Sequence, residues 1–362
     1  MNDLTEFFES GPYSWDRAKK SARLLAKLGE LTEWHLEHCE PYRRILDHLG
    51  VDVAAINRYE DIPFLPVPVF KTMELRSITS ESVFKTLTSS GTTGQAVSRI
   101  YLDRETASMQ QKTLVKIVSS FTSASRLPML IIDSPSVIKD RKMFSARGAG
   151  ILGFSMFGVD RTYALNDEMK INVAAIEQFL ERHSNERILL FGFTFMIWQF
   201  FYKELLKLSG SKERFDFSKG VLIHGGGWKK LANEAVSPAE FKDRLELVCG
   251  LTDIHDYYGM VEQTGAIYMQ CECGHLHASN FSDVLIRRGS DFSLCGSGER
   301  GIVQVVSVLP YSYPGHSLLT QDEGTVLGED DCPCGRKGKY FVIHGRLKNA
   351  EVRGCSDTFE RK

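Results

Sequence analysis

The sequence has almost no net charge and contains no long hydrophobic run. Its 44 lysine and arginine residues are balanced by 46 aspartate and glutamate residues, so the formal net charge is −2. A protein that binds nucleic acid through its overall field carries a basic excess, and we therefore expect no nucleic-acid partner. A membrane span needs roughly 18–20 consecutive apolar residues. No run of that length is present, so we expect no membrane span.

The N-terminal stretch also lacks the features of a secretory signal. It reads "MNDLTEFFESGPYSW" (1–15), which is acidic and aromatic. A signal peptide instead has a basic region followed by an apolar one. We therefore expect a cytoplasmic protein, in which the eight cysteines are more typical of free thiols, metal ligands or nucleophiles than of disulfides.

No internal repeat and no low-complexity linker interrupts the chain, and 43% of its residues are hydrophobic. This composition allows a large buried core. Short apolar runs predict strands at 129–133, 187–193 and 220–227. Amphipathic stretches predict helices at 172–183 and 196–208. Strands that alternate with helices indicate the α/β class with a largely parallel sheet.

The flanking regions show different patterns. Residues 15–49 are typical of helices, with Gly29 as a plausible stop. Three prolines within 61–70 predict an extended connection. From about residue 275, strands and turns indicate a smaller β-rich subdomain. We therefore predict N-terminal helices in 1–60, an α/β core in 61–275, and the β-rich subdomain with the C-terminal tail in 276–362.

One loop is unusually rich in threonine, serine and glycine. It reads "TLTSSGTTGQAVS" (86–98) and follows a strand-like run. Backbone N–H groups in such a turn can point at one anion, and the small hydroxyl side chains add donors. The run does not match the G-x-x-x-x-G-K-[ST] pattern of a P-loop. Taken alone, the loop is equally compatible with an anion cradle and with a solvated surface loop.

Five short motifs resemble those of the adenylate-forming superfamily, which includes acyl-CoA synthetases and firefly-type luciferases. They occur in the expected order: "TSSGTTGQ" (88–95), "IHGGG" (223–227), "YYGMVEQ" (257–263), "LTQDEG" (319–324) and "GRLKNAEVRG" (345–354). Each motif is weak alone, and their order is what makes the resemblance specific.

The closer resemblance is to the acyl-protein synthetases of the LuxE type, the ligase component of bacterial fatty-acid reductase complexes. Three features carry it: "IPFLPVPVFKT" (62–72), "HGGGWKK" (224–230), and a chain that stops just after "RGCS" (353–356). The resemblance implies the large domain of adenylate-forming enzymes, with parallel sheet layers and a β-rich subdomain. The usual mobile C-terminal domain would be missing, and residues 61–275 would be the adenylation core.

The implied reaction is ATP-dependent activation of a carboxylic acid, expected to be a fatty acid, as acyl-AMP. Glu262 would be catalytic and would hold Mg²⁺, a hard cation that prefers oxygen ligands. Tyr258 would stack on adenine, Asp322 would accept hydrogen bonds from the ribose hydroxyls, and Arg346 would contact ribose or phosphate. The remaining nucleotide contacts would come from a phosphate cradle and an adenine loop: Ser89, Ser90, Gly91, Thr92 (also catalytic), Thr93 and Gly94, and Gly225, Gly226 and Gly227.

Each of these roles has an ordinary structural alternative. Tyr258 would also suit an aromatic core position, and Glu262 and Asp322 would also suit surface carboxylates. The loop carries Gln95 where many relatives have lysine. The missing domain normally supplies a lysine that reaches the α-phosphate, and Lys348 is a candidate to replace it.

The acyl group also needs an acceptor, and Cys355 is the candidate. In LuxE-type enzymes a near-terminal cysteine carries the acyl group as a thioester, before its transfer to a reductase or transferase partner. Arg353 and Arg361 would favour the thiolate, which is the nucleophilic form. The alternative is an unreactive cysteine in a frayed tail.

Two cysteine pairs predict a structural zinc site. The segments "CECGHLH" (271–277) and "CPCGRKG" (332–338) each place two thiols two residues apart. Structural zinc takes four cysteine or histidine ligands, commonly from two local clusters. Two ligand sets are possible, and a pattern similar to that of phenylacetate-CoA-ligase-like proteins favours the first: Cys271, His277, Cys332 and Cys334, or Cys271, Cys273, Cys332 and Cys334. Four free thiols are the alternative.

Two other functions are compatible with the motifs. A stand-alone acyl- or aryl-CoA ligase would pass the acyl group to CoA, although the missing domain argues against it. A non-catalytic adenylate-binding subunit would bind the nucleotide without turnover. The oligomeric state and the identity of the acyl chain are not indicated by the sequence.

Overall fold

The structure is a computed structural model that describes residues 3–89, 96–139, 146–208 and 210–347. The chain divides into two compact units. The described residues within Met1–Val118 and Gly259–Val352 belong to the first unit, and those within Ser119–Tyr258 belong to the second. The three-segment domain organisation expected from the sequence stays a prediction.

Helices and strands alternate in the middle of the chain, and strands dominate after it. The helices are α1 (Thr5–Glu9), α2 (Arg17–His38), α3 (Glu40–Leu49), α4 (Val69–Thr72), α5 (Arg104–Ser119), α6 (Ser136–Lys139), α7 (Ala146–Phe154), α8 (Val173–Arg182), α9 (Thr194–Met196), α10 (Lys203–Leu206), α11 (Ser211–Arg214) and α12 (Pro238–Cys249). Short 3₁₀ turns occupy Val53–Ala55, Tyr59–Asp61, Ser80–Ser82, Ser155–Phe157, Lys229–Glu234 and Val261–Gln263, and a π-helix occupies Ile197–Tyr202. The strands are β1 (Leu65–Pro66), β2 (Lys85–Thr88), β3 (Arg99–Leu102), β4 (Leu127–Ile132), β5 (Gly158–Tyr163), β6 (Ile188–Phe193), β7 (Gly220–Gly225), β8 (Asp253–Tyr258), β9 (Tyr268–Gln270), β10 (Leu276–His277), β11 (Ser282–Arg287), β12 (Arg300–Ser307), β13 (Ser317–Glu329) and β14 (Lys339–Arg346). No helix in the described ranges has the length and apolar character needed to cross a membrane.

The second unit contains a parallel sheet with the strand order β5-β4-β6-β7-β8. Every residue of β6 and β7 is buried. This explains why both strands read as continuous apolar runs, since parallel strands are covered on both faces. The predicted strands at 129–133, 187–193 and 220–227 and the predicted helix at 172–183 are confirmed. The carboxyl ends of β4, β6, β7 and β8 share one edge of this sheet.

The predicted helix at 196–208 is present but irregular. It begins as α9, continues as the π-helix Ile197–Tyr202 and ends as α10. Trp198, Phe201 and Tyr202 pack into the hydrophobic core of this unit. A π-helix widens one turn of a helix and is an uncommon feature.

The first unit contains an antiparallel sheet with the order β11-β12-β13-β14-β10-β9, and β1 pairs in parallel with β13. The β-rich pattern expected from about residue 275 is therefore confirmed. A separate two-stranded hairpin is formed by β2 and β3, on either side of the serine- and threonine-rich loop. The predicted α/β fold class is confirmed.

The N-terminal helices are confirmed, but Gly29 as a helix stop is wrong. Helix α2 begins after Asp16, whose side chain accepts a hydrogen bond from the Lys19 backbone N–H at 2.9 Å, and it continues to His38. Leucines on both sides of Gly29 pack into the core of this unit, and this burial outweighs the weak helix propensity of glycine. The glycine that does end a helix here is Gly50, after α3, with φ +63°.

A buried charge cluster joins α2 to the sheet of the same unit. Asp283 of β11 lies between two ammonium groups, 3.3 Å from Lys20 Nζ and 3.0 Å from Lys339 Nζ. The Tyr59 hydroxyl donates to the same carboxylate at 2.6 Å. Burial would raise the pKa of Asp283, but the two lysines outweigh it and hold the pKa at about 2. We call Asp283, Lys20, Lys339 and Tyr59 the buried charge cluster.

Candidate functional site

The predicted adenine loop is a tight glycine turn in the second unit. Gly225 is the last residue of β7, and Gly226 and Gly227 follow with φ of +81° and +65°. A Cβ on Gly225 would lie 2.7 Å from the ring of Tyr257, and one on Gly226 would lie 2.7 Å from the ring of Phe193. The turn therefore requires glycine. It lies at the carboxyl edge of parallel strands, where α/β sheets commonly bind ligands.

The side chains of Thr194 and His224 hold this turn through hydrogen bonds. The Thr194 hydroxyl donates to the Gly225 carbonyl at 3.1 Å and lies 3.0 Å from His224 Nδ1. Burial lowers the pKa of His224 to about 3, so the ring is neutral at physiological pH. Both contacts are satisfied when Nδ1–H of His224 donates to the Thr194 oxygen. Neither residue was predicted to belong to the site, although His224 stands inside the "IHGGG" motif.

The predicted adenine-stacking residue, Tyr258, is the final residue of β8 and is half-buried. Its neighbour Tyr257 is the residue that lies against Gly225 and contacts the Phe154 ring, with ring centroids 5.1 Å apart. The tyrosine doublet in "YYGMVEQ" was the available signal for Tyr257. The stacking role of Tyr258 stays a prediction.

The first unit holds the other predicted nucleotide residues. Asp322 of β13 and Arg346 of β14 lie directly opposite each other across the two strands. Arg346 Nε lies 3.8 Å from Asp322 Oδ1, and the side chains are 34% and 14% exposed. This distance is an ion pair rather than a hydrogen bond. A partly exposed carboxylate beside a guanidinium can accept hydrogen bonds from two neighbouring hydroxyls, as the predicted ribose role requires.

The predicted magnesium ligand, Glu262, lies in the same unit, in the 3₁₀ turn Val261–Gln263. Its side chain has no solvent-exposed surface, which excludes the alternative of an ordinary surface carboxylate. Its role as a metal ligand stays a prediction.

The predicted phosphate cradle is described only at its first residue. Ser89 follows β2, and its backbone N–H donates to the Ser98 carbonyl at 3.1 Å. The Ser98 N–H in turn donates to the Ser89 hydroxyl oxygen at 2.9 Å. Ser89 therefore closes the base of the loop, and its hydroxyl hydrogen can still donate to an anion. The other predicted members lie outside the described residues: Ser90, Gly91, Thr92, Thr93 and Gly94, as do Gln95, Lys348 and Cys355.

Four predicted metal ligands are brought together by two hairpin turns of the antiparallel sheet. The ligand atoms of Cys271, His277, Cys332 and Cys334 all lie within 4.8 Å of one another. Cys271 Sγ is 4.0 Å from Cys332 Sγ, and Cys334 Sγ is 3.4 Å from His277 Nε2. Zinc–sulfur bonds of about 2.3 Å in a tetrahedral site place ligand atoms about 3.5–4 Å apart. The donor set therefore fits zinc, and we call these four residues the thiolate cluster.

The second predicted ligand set fits less well. Cys273 is exposed and lies outside the thiolate cluster. His275 instead approaches from the same turn, with Nδ1 3.4 Å from Cys332 Sγ. Burial would raise the pKa of Cys334, but hydrogen bonds from Arg336 and from the neighbouring thiols outweigh it and lower that pKa. The geometry thus favours the set with His277.

Comparison with known proteins agrees with the motifs. The family model "Acyl-protein synthetase, LuxE" matches residues 1–362. The chain is similar to the long-chain-fatty-acid–luciferin-component ligase of Vibrio harveyi, with 21% identity over 381 residues, covering 98% of this chain and 92% of the relative. The ligase of the same name from Aliivibrio fischeri is 24% identical over 369 residues, with the same coverage of 98% and 92%.

Solved structures show the same fold at low identity. A 2-hydroxyisobutyryl-CoA ligase in complex with 2-HIB-AMP and CoA in the thioesterification state gives a TM-score of 0.69 at 15% identity, covering 93% of this chain and 70% of that chain. An open conformation of this ligase gives 0.67 at 14%, covering 95% and 79%. Because the family model matches the whole chain, the predicted resemblance and the prediction of an AMP-forming ligase are confirmed: the chain belongs to the LuxE family of acyl-protein synthetases.

Proposed function

We propose that this protein activates a long-chain fatty acid with ATP as acyl-AMP and then transfers the acyl group to its own Cys355. The observation that carries the proposal is the family match over residues 1–362. The ion pair of Asp322 and Arg346 supports it, because two of the five motifs meet there. The two bacterial relatives are named long-chain-fatty-acid ligases, which supports the choice of a long-chain fatty acid.

In the first half-reaction, a carboxylate oxygen of the fatty acid attacks the α-phosphorus of ATP. A new P–O bond forms, the bond to the β-phosphate bridge breaks, and pyrophosphate leaves with the electron pair. Asp322 accepts hydrogen bonds from the ribose hydroxyls, and Arg346 orients that carboxylate. Glu262 would hold Mg²⁺, which would supply positive charge to neutralise the phosphate oxygens. Catalysis of this step consists mainly of positioning and charge neutralisation.

In the second half-reaction, the Cys355 thiolate attacks the carbonyl carbon of acyl-AMP. The C–S bond forms, the C–O bond to the phosphate breaks, and AMP leaves. The resulting thioester remains reactive enough to pass the acyl group onward. A reductase or transferase partner is the proposed acceptor, in keeping with relatives named for a luciferin component.

Intact-protein mass spectrometry tests this function. The protein is incubated with ATP, Mg²⁺ and fatty acids of increasing chain length, with and without CoA. We expect a mass increase equal to one fatty acid minus one water, together with release of pyrophosphate. Acyl-CoA in the CoA arm, without an acylated protein, would identify a CoA ligase instead. Absence of pyrophosphate with every acid would support a non-catalytic adenylate-binding subunit.

Asp322→Ala is expected to weaken ATP binding by about 1.5–3 kcal/mol, the scale of hydrogen bonds to a charged group. Calorimetry with a non-hydrolysable ATP analogue measures the loss. The matched control is Glu323→Ala, which removes the neighbouring carboxylate of β13 and its ion pair with Arg300. An Asp322→Ala protein with wild-type affinity for the analogue would refute the ribose assignment.

We propose further that the thiolate cluster binds one structural zinc ion. Cys271 and His277 have no exposed surface, and four protein ligands would leave no open position for chemistry. The ion would then join the Cys271–His277 turn to the turn between β13 and β14. Because those strands carry Asp322 and Arg346, the zinc would also stabilise the hairpin that presents this pair.

Cys332→Ser is expected to remove most of the zinc and to lower the thermal unfolding temperature, because metal binding contributes to folding stability. Metal analysis of protein purified without added metal should give close to one zinc per wild-type chain. Cys273→Ser is the matched control and should keep full zinc content, since this thiol lies outside the cluster. A wild-type protein that is metal-free and equally stable to heat would contradict the proposal.

A further inference from the structure

The turn that carries Glu262 is held by a network of buried hydrogen bonds. The Tyr313 hydroxyl donates to the Glu262 backbone carbonyl at 2.9 Å. The Gln263 side-chain amide donates to two carbonyls, Val305 at 3.2 Å and Gly315 at 2.9 Å. Tyr313 is fully buried, and Gln263 is 3% exposed. The Glu262 carbonyl and the Gln263 side chain are both held in this way, which fixes the backbone from which the Glu262 side chain projects.

A second buried amide supports Tyr313 itself. Gln110 of α5 donates to the Tyr313 hydroxyl oxygen at 3.3 Å. The hydroxyl therefore accepts one hydrogen bond and donates one, and its direction is determined. The backbone of Gln110 also lies against Gly265, two residues after the turn, since a Cβ on Gly265 would lie 2.5 Å from the Gln110 carbonyl oxygen. Helix α5 thus packs closely beside the Glu262 turn.

The segment that contains Tyr313 is equally constrained. A Cβ on Gly315 would lie 2.9 Å from the Glu262 carbonyl oxygen and 2.3 Å from the Tyr313 ring. One residue before Tyr313, the Ser312 hydroxyl donates to the Tyr101 carbonyl of β3 at 2.8 Å. Strand β3 pairs with β2, which leads directly into the predicted phosphate cradle. Residues 312–315 therefore contact both the base hairpin of that cradle and the turn of the predicted metal ligand.

We propose that Tyr313, supported by Gln110, is a positioning residue that fixes the Glu262 turn so that its carboxylate can hold the metal ion of the ATP complex. The inference rests on the proposed role of Glu262. Tyr313 touches neither substrate nor metal and acts through the backbone of its neighbour. Groups that orient a metal ligand without contacting the metal commonly contribute about 10–100-fold to metal affinity.

The test uses Mn²⁺ in place of Mg²⁺, followed by electron paramagnetic resonance in the presence of a non-hydrolysable ATP analogue. We expect Tyr313→Phe to weaken Mn²⁺ binding about 10-fold, the lower end of the range for such supporting groups. The Mg²⁺ concentration for half-maximal pyrophosphate release should rise in parallel, while the KM for the fatty acid stays unchanged. Phenylalanine fills the same space, so only the two hydrogen bonds of the hydroxyl are lost.

The matched control is Tyr42→Phe. Tyr42 is another buried tyrosine of this unit, and its ring packs against the rings of His35 and His316. Its substitution should leave the Mn²⁺ affinity at the wild-type value. Gln110→Leu removes the hydrogen bond to the Tyr313 hydroxyl and should also weaken Mn²⁺ binding, by a smaller factor than Tyr313→Phe does. If the Tyr313→Phe protein does not fold, Gln110→Leu becomes the decisive variant.

Wild-type Mn²⁺ affinity in the decisive variant would overturn the proposal, whatever happens to its melting temperature. Glu262→Gln separates this outcome from failure of the proposed function. If Glu262→Gln also keeps the wild-type Mn²⁺ affinity, then Glu262 is not the metal ligand and the proposed role fails at that earlier step. If only Glu262→Gln loses affinity, the metal assignment holds and the positioning role of Tyr313 is wrong.

Discussion

In the Cys355→Ser variant, we expect acyl-AMP to form at the wild-type rate and acylation of the protein to be abolished. Acyl-AMP reacts readily with thiolates, and Arg353 and Arg361 would favour the thiolate of Cys355. A serine hydroxyl at the same position is far less nucleophilic, because it is not ionised near neutral pH. The measurements are pyrophosphate release for the first step and incorporation of radioactive fatty acid for the second.

The other cysteines provide the controls for this prediction. Among the described residues, Cys39 and Cys249 are buried in the core, and three more belong to the thiolate cluster. Cys273 is exposed and Cys295 is half-buried, so Cys273→Ser and Cys295→Ser are the matched variants that should label fully. Neutral hydroxylamine should release the wild-type adduct as it does a thioester. Full labelling of Cys355→Ser would remove this residue from the mechanism, and a hydroxylamine-resistant adduct would indicate a lysine acceptor.

Asp283→Asn is expected to lower the free energy of unfolding by about 3–5 kcal/mol, the range for breaking a buried ion pair by removing one partner. The side chains of Asp283 and Lys20 are only 1% and 2% exposed. An asparagine amide keeps the shape of the carboxylate but leaves the buried ammonium group of Lys20 and the half-buried one of Lys339 without their counter-charge. Urea unfolding followed by circular dichroism measures the loss.

An exposed ion pair provides the comparison for Asp283→Asn. Glu177 pairs with Arg214 at 2.5 Å, and both side chains are about 40% exposed. Glu177→Gln should change the urea midpoint only slightly, because water and salt screen such pairs. Equal midpoints for the two variants would mean that the buried charge cluster contributes no more than a surface contact does.

The same cluster gives the stability a defined dependence on pH. The folded-state pKa of Asp283 is about 2, below the value near 3.9 of an unfolded chain. Its contribution is therefore present in full above about pH 5 and is lost as the pH falls through 4 towards 2. Asp283→Asn should flatten this part of the acid-unfolding curve.

The parts of the fold that the sequence predicted are those with a local cause. Strands β6 and β7 read as apolar runs because all of their residues are buried. Gly29 failed as a helix stop because the packing of α2 against distant strands outweighs a local propensity. Lys20 and Asp283 are 263 residues apart, and the sequence around Lys20 does not indicate that this lysine will be buried.

The candidate site divides in the same way. The thiolate cluster was predictable from ligand spacing, because zinc chemistry restricts which residue types can serve. The direct pairing of Asp322 with Arg346 could not be predicted from the sequence, because two irregularities in the β13–β14 register decide which residues face each other. Thr194, Tyr257 and Tyr313 were missed because each acts through a backbone contact, and such contacts can be made by many residue types.

The discontinuity of the first unit has a consequence for how the chain folds during synthesis. Helix α2 leaves the ribosome early, whereas the strands that bury its Lys20 follow only after residue 280. Residues 119–258 are contiguous and contain their whole parallel sheet, so they can fold as soon as they emerge. We expect the apolar faces of the N-terminal helices to stay uncovered until the strands that follow residue 280 have been made. During that interval, we expect the nascent chain to present apolar surface that a chaperone can bind.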